Sequence, residues 1–129
     1  GLEKTLDRIS AYVAAGADMI FPEAVSDLQT YKLVSQSAKV PILANITEYG
    51  KTPLFTVEEL REAEVSIALY PLSAFRAMSK AALKVYETVR NHGTQKTVVE
   101  NMQTREELYD YLNYHSFEKK IDLLFDKNK

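Results

Sequence analysis

The sequence predicts an α/β fold in which helices cover a parallel sheet. Amphipathic helical patterns alternate with three short apolar runs. Turn residues bound each run, as is typical of strands that are buried on both faces. This alternation implies right-handed crossovers between parallel strands. Three strands are too few for a barrel of eight, which takes about 250 residues. The pattern alone therefore leaves two alternatives, a small three-layer domain or roughly half of a larger barrel.

The first two helix–strand units are read from apolar spacing. The first helix carries one apolar stripe and ends before Gly16, which suits a left-handed helix terminus. Its strand is predicted over Asp18–Pro22. The second helix is predicted over Ser26–Ser37, with Ser26 or Asp27 as N-cap, and its strand over Val40–Ile46. The predicted inward residues are Leu2, Leu6, Ile9, Tyr12 and Val13 in the first helix, and Leu28, Tyr31 and Val34 in the second.

The third unit opens with a capping box. Thr56 is the predicted N-cap and Glu59 its partner at the third helical position. This short helix is predicted to end near Ala63, and the third strand to span Val65–Tyr70. A long helix follows, from a cap at Ser73 to about Asn91, with Gly93 at its end.

The alternation stops after Gly93. Thr94–Met102 is polar and predicts a loop. Thr104 and Glu107 form a second capping box, and Ser116 is the predicted cap of a last helix. The first of these helices is predicted to turn Leu108, Tyr111 and Leu112 inward. The last helix carries the apolar residues Phe117, Ile121, Leu124 and Phe125.

The composition excludes several functional classes. The 129 residues are 46% hydrophobic and 26% charged, which argues against disorder. A net charge of −2 argues against a nucleic-acid partner. The absence of cysteine excludes disulfides, thiolate zinc sites and a cysteine nucleophile within the chain. With no membrane-length apolar run and no secretory signal pattern, we expect a cytoplasmic protein without a membrane partner.

Polar side chains follow the predicted strands at their carboxyl ends, where α/β proteins bind ligands. Glu23 follows the first strand, Asn45 and Thr47 end the second, and Ser73 and Arg76 follow the third. Arginine and amide donors suit a small polyanionic acid, and a glutamate accepts protons or binds magnesium directly or through water.

Each of these residues also has an ordinary structural explanation. Glu23 is then a solvated loop residue, and Asn45 satisfies backbone groups in its turn. Thr47 and Ser73 are helix or turn caps, and Arg76 forms a surface ion pair. Arg105 lies in the second capping box, where it is a charge at a helix start.

Four segments resemble the 2-methylisocitrate lyase family of the isocitrate lyase/phosphoenolpyruvate mutase superfamily. They are Ala15–Ala24 (AGADMIFPEA), Val40–Glu48 (VPILANITE), Ala68–Met78 (ALYPLSAFRAM) and Met102–Tyr109 (MQTREELY). The resemblance implies a magnesium-dependent carbon–carbon lyase of the methylcitrate cycle, which consumes propionate-derived carbon. Members cleave 2-methylisocitrate to pyruvate and succinate. They are (β/α)8 TIM-type barrels, usually homotetramers, whose C-terminal helices reach a neighbouring subunit.

The resemblance also implies roles for individual residues. Glu23 matches the family glutamate near the substrate and the water shell of the metal. The run Asn45, Ile46 and Thr47 matches the segment that binds the substrate's carboxylates. Arg76 and Arg105 match two arginines of the substrate site.

The chain departs from the family pattern in what it lacks. It has no Lys-Lys/Arg-Cys-Gly-His catalytic loop and no pair of magnesium-binding aspartates. We therefore expect the C-terminal half of such a lyase, with strands six to eight as a partial barrel over residues 1–93 and a helical extension over 94–129. We expect no catalytic residue in it and no activity from it alone. Two alternatives stay open, a non-catalytic assembly segment and a related oxaloacetate or phosphonopyruvate hydrolase.

Overall fold

A computed structural model describes residues 1–126 of the chain. It divides into two compact units, the first spanning Gly1–Ser79 and the second beginning at Lys80. Each unit is described by itself. The predicted boundary between a partial barrel and a helical extension at residues 93 and 94 stays a prediction.

The first unit is a helix-covered parallel sheet. Its helices are α1 (Leu2–Ala14), α2 (Leu28–Ala38) and α3 (Val57–Glu62), and its strands are β1 (Leu43–Asn45) and β2 (Ile67–Leu69). Strand β1 pairs with β2 in parallel, with Leu43 opposite Ile67 and Asn45 opposite Leu69. The α4 helix (Ser73–His92) begins in this unit. The predicted parallel α/β arrangement is therefore confirmed.

The first predicted strand is reduced to a single bridge. Over Asp18–Pro22 only Ile20 pairs with the sheet, through a parallel bridge to Ile42. The Ile20 N–H donates to the Pro41 carbonyl and the Ile20 carbonyl accepts from Leu43 N, both at 3.0 Å. Pairing stops at Pro22, which has no N–H to donate. The other two strands are also shorter than predicted, at three residues each.

Side-chain caps fix the helix starts of this unit. The Asp27 carboxylate accepts from Thr30 N at 2.7 Å. In the predicted capping box, Glu59 N donates to Thr56 Oγ1 at 3.2 Å and Thr56 N donates to the Glu59 carboxylate at 2.7 Å. Helix α1 ends as predicted, because Gly16 adopts a left-handed φ of 103°. These local signals are confirmed.

The core of the first unit lies between the helices and the sheet. Its largest fully buried side chains are Tyr31, Ile42, Leu60 and Val34, and the Tyr31 ring meets Phe55 edge-on at 6.4 Å. The predicted stripe of α1 is only partly buried. Ile9 is in the core, whereas Leu2 and Tyr12 are 40% and 53% exposed. The periodicity identified the apolar face of α1 but not how much of it is covered.

The second unit contains the rest of α4, a 3-10 helix (Lys96–Asn101), α5 (Arg105–Tyr111) and α6 (Tyr114–Asp126). The predicted end of α4 is confirmed, with a left-handed Gly93. The loop predicted over Thr94–Met102 is wrong, because a 3-10 helix forms there. Its Val98 is buried, which gives this polar segment an apolar anchor.

The last two helices pack against each other. Thr104 caps α5 as predicted. The predicted cap at Ser116 is wrong, because α6 begins at Tyr114 and Ser116 donates to the Asn113 carbonyl at 2.9 Å. Leu108, Tyr111 and Leu112 are predicted to face inward but are 42%, 81% and 59% exposed. Phe117 and Ile121 of α6 are also exposed, at 60% and 52%. Within residues 1–126, no helix has both the length and the hydropathy needed to cross a membrane.

Candidate functional site

Three of the predicted site residues flank the carboxyl end of the parallel sheet. Asn45 is the last residue of β1 and Thr47 follows it, while Arg76 lies in the first turn of α4, just after β2. Ile46 N donates to the Leu69 carbonyl at 2.8 Å, which holds the exit of β1 beside the end of β2. Parallel pairing therefore brings both exits to one edge, as the strand-end rule predicts.

Asn45 and Thr47 form a directly bonded pair. The Thr47 hydroxyl donates to the Asn45 side-chain oxygen at 2.6 Å, and both residues are half-buried. Ile46 between them is 2% exposed and belongs to the core. This alternation turns Asn45 and Thr47 away from the core. Because the Asn45 oxygen accepts from Thr47, the Asn45 amide nitrogen is left to donate to a ligand.

Glu48 joins this strand exit to α4. The Ser73 hydroxyl donates to one oxygen of the Glu48 carboxylate. Arg76 Nη1 donates to the Glu48 backbone carbonyl at 3.2 Å. The hydrogen bond from Ser73 holds the pKa of the Glu48 carboxyl below its ordinary value, and the positive charge of Arg76 lowers it further.

Ser73 does not have the predicted capping role. It is the first helical residue of α4, and the Leu72 carbonyl accepts from Arg76 N at 2.8 Å to close the first turn. Since the Ser73 hydroxyl is bonded to Glu48, it ties α4 to a residue 25 positions earlier. The cap prediction is wrong because a tertiary partner took the hydroxyl.

A tight turn follows Glu48. Tyr49 has a left-handed φ of 64°, and Gly50 N donates to the Thr47 carbonyl at 3.2 Å. A Cβ added at Gly50 would lie only 3.1 Å from that same carbonyl oxygen. The Tyr49 ring is 96% exposed, and the Arg76 guanidinium carbon lies 5.3 Å from its centroid. This is the geometry of a cation–π contact.

Glu23 lies on the exposed loop after Ile20. It borders an open cavity of about 780 Å³ that Arg8, Tyr12 and Met19 also line. Burial raises the pKa of the Tyr31 hydroxyl, and the negative charge of Glu23 raises it further. Within residues 1–126, Glu23 makes no hydrogen bond to Asn45, Thr47 or Arg76. The structure therefore does not join it to them directly.

Arg105 belongs to the second unit. It is the exposed first residue of α5, directly after the Thr104 cap. Its position is thus explained by helix initiation, and its predicted place in a substrate site stays a prediction.

The described part of the chain does not form a metal centre by itself. Across residues 1–126, no group of three or more His, Asp or Glu side chains is arranged to hold a metal ion. The residues present therefore do not fit the magnesium site that the resemblance implies.

Glu48 and Tyr49 are not among the predicted site residues. Glu48 lies in the Asn45–Glu48 run at the exit of the second predicted strand, but the sequence assigns it no role. Its bond to Ser73 joins residues far apart in sequence, and no local pattern reveals such a bond. Tyr49 carries no motif that distinguishes it from the other seven tyrosines.

Comparisons with known proteins agree with the resemblance. The family model described as phosphoenolpyruvate phosphomutase matches residues 1–90. The 2-methylisocitrate lyase of Salmonella typhimurium is 60% identical over 129 residues, which are 100% of this chain and 44% of that protein. The 2-methylisocitrate lyase of Escherichia coli is 55% identical over the same shares. The chain thus spans less than half the length of the curated relatives it matches.

A solved structure supports the fold. The crystal structure of 2,3-dimethylmalate lyase, a member of the phosphoenolpyruvate mutase/isocitrate lyase superfamily, matches with a TM-score of 0.78 at 25% sequence identity. The match covers 95% of this chain and 42% of that one. The α/β arrangement described above is therefore a part of that superfamily's fold.

Proposed function

The chain belongs to the phosphoenolpyruvate phosphomutase family, and from this premise we propose that it is part of an enzyme that cleaves 2-methylisocitrate to pyruvate and succinate. The observation that carries the proposal is 60% identity over the whole chain to a 2-methylisocitrate lyase. The geometry supports it, because amide, hydroxyl and guanidinium donors lie at one edge of the parallel sheet. We place its three strand segments as strands six to eight of a (β/α)8 barrel.

In this proposal the chain supplies one side of a substrate site. The segment Asn45–Thr47 binds one carboxylate of the substrate. The Asn45 amide nitrogen donates to it, Thr47 orients that amide through its hydrogen bond, and the core residue Ile46 holds the segment in place. Arg76 binds a second carboxylate through the N–H groups that Glu48 does not use. Glu23 lies near the substrate, and Arg105 completes the set.

These groups suit the reaction's electrostatics. Cleavage of the carbon–carbon bond leaves an electron pair on the carbon that becomes part of succinate, beside a carboxylate. Fixed donors stabilise charge that develops in such a transition state. The chain's own residues are therefore assigned to binding and charge stabilisation, and none is assigned to proton transfer.

The proposal has three further parts. They are magnesium dependence, a homotetramer built through the C-terminal helices, and a cytoplasmic location. We derive no step through magnesium, since the described residues form no ligand set for it. The support for tetramer formation is the exposed apolar face of α6, which includes Phe117 and Ile121.

A hybrid enzyme tests the proposed function. In this hybrid lyase, the present chain replaces the matching 129-residue segment of the Salmonella typhimurium enzyme. We expect the hybrid lyase to form pyruvate from 2-methylisocitrate, and the isolated chain to form none. A folded hybrid that does not cleave 2-methylisocitrate would contradict the proposal, and magnesium-dependent turnover by the isolated chain would contradict its expected inactivity.

The same assay separates the alternative activity. Oxaloacetate and phosphonopyruvate are offered to the hybrid lyase under the same conditions. Hydrolysis of either substrate, with no cleavage of 2-methylisocitrate, would assign the chain to a hydrolase. We expect the reverse, because the Asn45–Thr47 run resembles the methylisocitrate branch.

A further inference from the structure

We propose that Glu48 is a positioning residue that sets the Arg76 guanidinium for recognition of a ligand carboxylate. The inference rests on the proposed function and deepens it. It adds to the substrate-site residues a side chain that does not itself contact substrate.

Glu48 contacts the first turn of α4 through two hydrogen bonds. Glu48 uses two different groups, its carboxylate toward Ser73 and its backbone carbonyl toward Arg76. Ser73 and Arg76 are three residues apart in the first turn of α4, so they lie on one face of the helix. Two bonds from one residue to one helical face fix both the position and the rotation of that turn relative to the exit of β1.

Most of the N–H donors of the Arg76 side chain have no partner within the described chain. An arginine side chain has five N–H donors, and within the described chain the one hydrogen bond that the Arg76 side chain makes is to Glu48. The ion pairs found in residues 1–126 are Arg61 with Glu58 and His115 with Glu118. Arg76 is therefore held by a backbone carbonyl and a tyrosine ring. It forms no ion pair among these residues, although its charge helps to lower the pKa of the Glu48 carboxyl, and its other N–H groups are left for a ligand anion.

Within the described chain, the Glu48 carboxylate is held through only one of its two oxygens, the one that accepts from Ser73. Its second oxygen is buried and makes no hydrogen bond among residues 1–126. The bond to Ser73 is therefore the one hydrogen bond that anchors the Glu48 side chain among these residues. It fixes the residue whose backbone carbonyl accepts from the guanidinium.

A double-mutant cycle in the hybrid lyase tests the proposal. We expect Glu48→Ala to raise the KM for 2-methylisocitrate about tenfold, a coupling typical of residues in contact. We expect kcat to change less, since carboxylate binding serves substrate and transition state alike. In an Arg76→Ala background, Glu48→Ala should add no further rise in KM. Equal effects in both backgrounds would overturn the proposal.

Two further variants separate positioning from other roles. Glu48→Gln keeps an oxygen that accepts from Ser73, so we expect it to restore KM to within about threefold of the unsubstituted hybrid. A loss in Glu48→Gln equal to that in Glu48→Ala would overturn the positioning role, because the bond to Ser73 would then not be what matters. Glu62→Ala, an exposed glutamate on α3, is the matched control and should leave KM unchanged.

A spectroscopic measurement on the 129-residue chain keeps the inference independent of activity. In the isotopically labelled chain, Glu48→Ala should shift the side-chain nitrogen resonances of Arg76, and Glu62→Ala should not. If Glu48→Ala fails to fold, Ser73→Ala replaces it in the measurement, because this smaller change removes the same hydrogen bond. It should shift the Arg76 resonances in the same direction. Unchanged Arg76 resonances in folded Glu48→Ala would overturn the positioning role. An inactive unsubstituted hybrid with shifted Arg76 resonances would instead overturn the proposed function alone.

Discussion

At the scale of single residues, Glu59 shows how one carboxylate fixes a helix start. It accepts from both the backbone N–H and the hydroxyl of Thr56. These bonds favour the ionised form, with the backbone bond as the larger cause, and lower the pKa of Glu59 below its ordinary 4.5. A depressed folded-state pKa gives stability that is fully present above pH 4.5 and is lost as pH falls through the folded value.

A substitution makes this pH dependence measurable. Glu59→Gln should lower the free energy of unfolding at pH 7, because an amide oxygen accepts more weakly than a carboxylate. The difference from the unsubstituted chain should shrink as pH falls below 4.5 and Glu59 takes up its proton. Urea unfolding across this range measures it. Glu62→Gln, outside the capping box, is the control, and a difference that stays constant with pH would contradict the expectation.

At single residues, the sequence predicts local hydrogen bonds well and long-range hydrogen bonds poorly. The capping boxes at Thr56 and Thr104 were predicted because both partners lie within one helical turn. The Ser73 hydroxyl was assigned to the same kind of cap, but its partner Glu48 is far away in sequence. A local pattern reveals partners a few residues away, whereas a bond across the fold requires the tertiary structure.

At the scale of elements, α3 depends on a single buried side chain. This helix has six residues, too few to be stable by itself in water. Leu60 is its buried residue and is 2% exposed. Since the hydrogen bonds of so short a helix do not sustain it, packing of Leu60 into the core and the capping box hold it in place.

Truncation of that side chain should therefore be costly. Leu60→Ala should lower the free energy of unfolding by about 2–5 kcal/mol, the range for buried leucines. Val57→Ala on the same helix is the matched control, since Val57 is 55% exposed. Urea denaturation of both variants gives the comparison. Equal losses would mean that Leu60 is not an anchor of the core.

Strands were predicted less well than helices, for a physical reason. Apolar runs located β1 and β2, but a strand extends only as far as its neighbour can pair. The segment around Ile20 has one bridge to Ile42 before Pro22 stops the pairing. The run of apolar residues indicates burial, and the partner determines how much of the run becomes strand.

At the scale of the whole molecule, the exposed apolar surface of the second unit favours self-association. Helix α6 has no buried residue in its described span, although it carries an apolar stripe. Burial of such a stripe against a second copy would remove apolar area from water, which is favourable. The apolar stripe read from the sequence is therefore present on α6, and within residues 1–126 the helix buries none of its residues.

Association should respond to charge on this stripe. We expect the chain to be oligomeric at micromolar concentration, and the pair Phe117→Asp and Ile121→Lys to shift it toward monomer. Light scattering gives the mass of each. Lys119→Glu, which lies off the apolar stripe, should leave the oligomer intact. A monomeric, cooperatively unfolding chain without substitutions would contradict the expectation.

The bond between Thr47 and Asn45 has a consequence for ligand choice. Because the hydroxyl proton points to the amide oxygen, the bond favours the amide orientation in which the NH2 group faces away from Thr47. In that orientation the Asn45 amide hydrogens suit a partner that presents oxygen lone pairs. In the proposed site, an ionised ligand carboxylate would accept more strongly from this amide than the protonated acid or the carboxamide, because hydrogen bonds to ionised acceptors are the stronger ones. A preference for the ionised acid would then follow from the orientation of one side chain before any ligand binds.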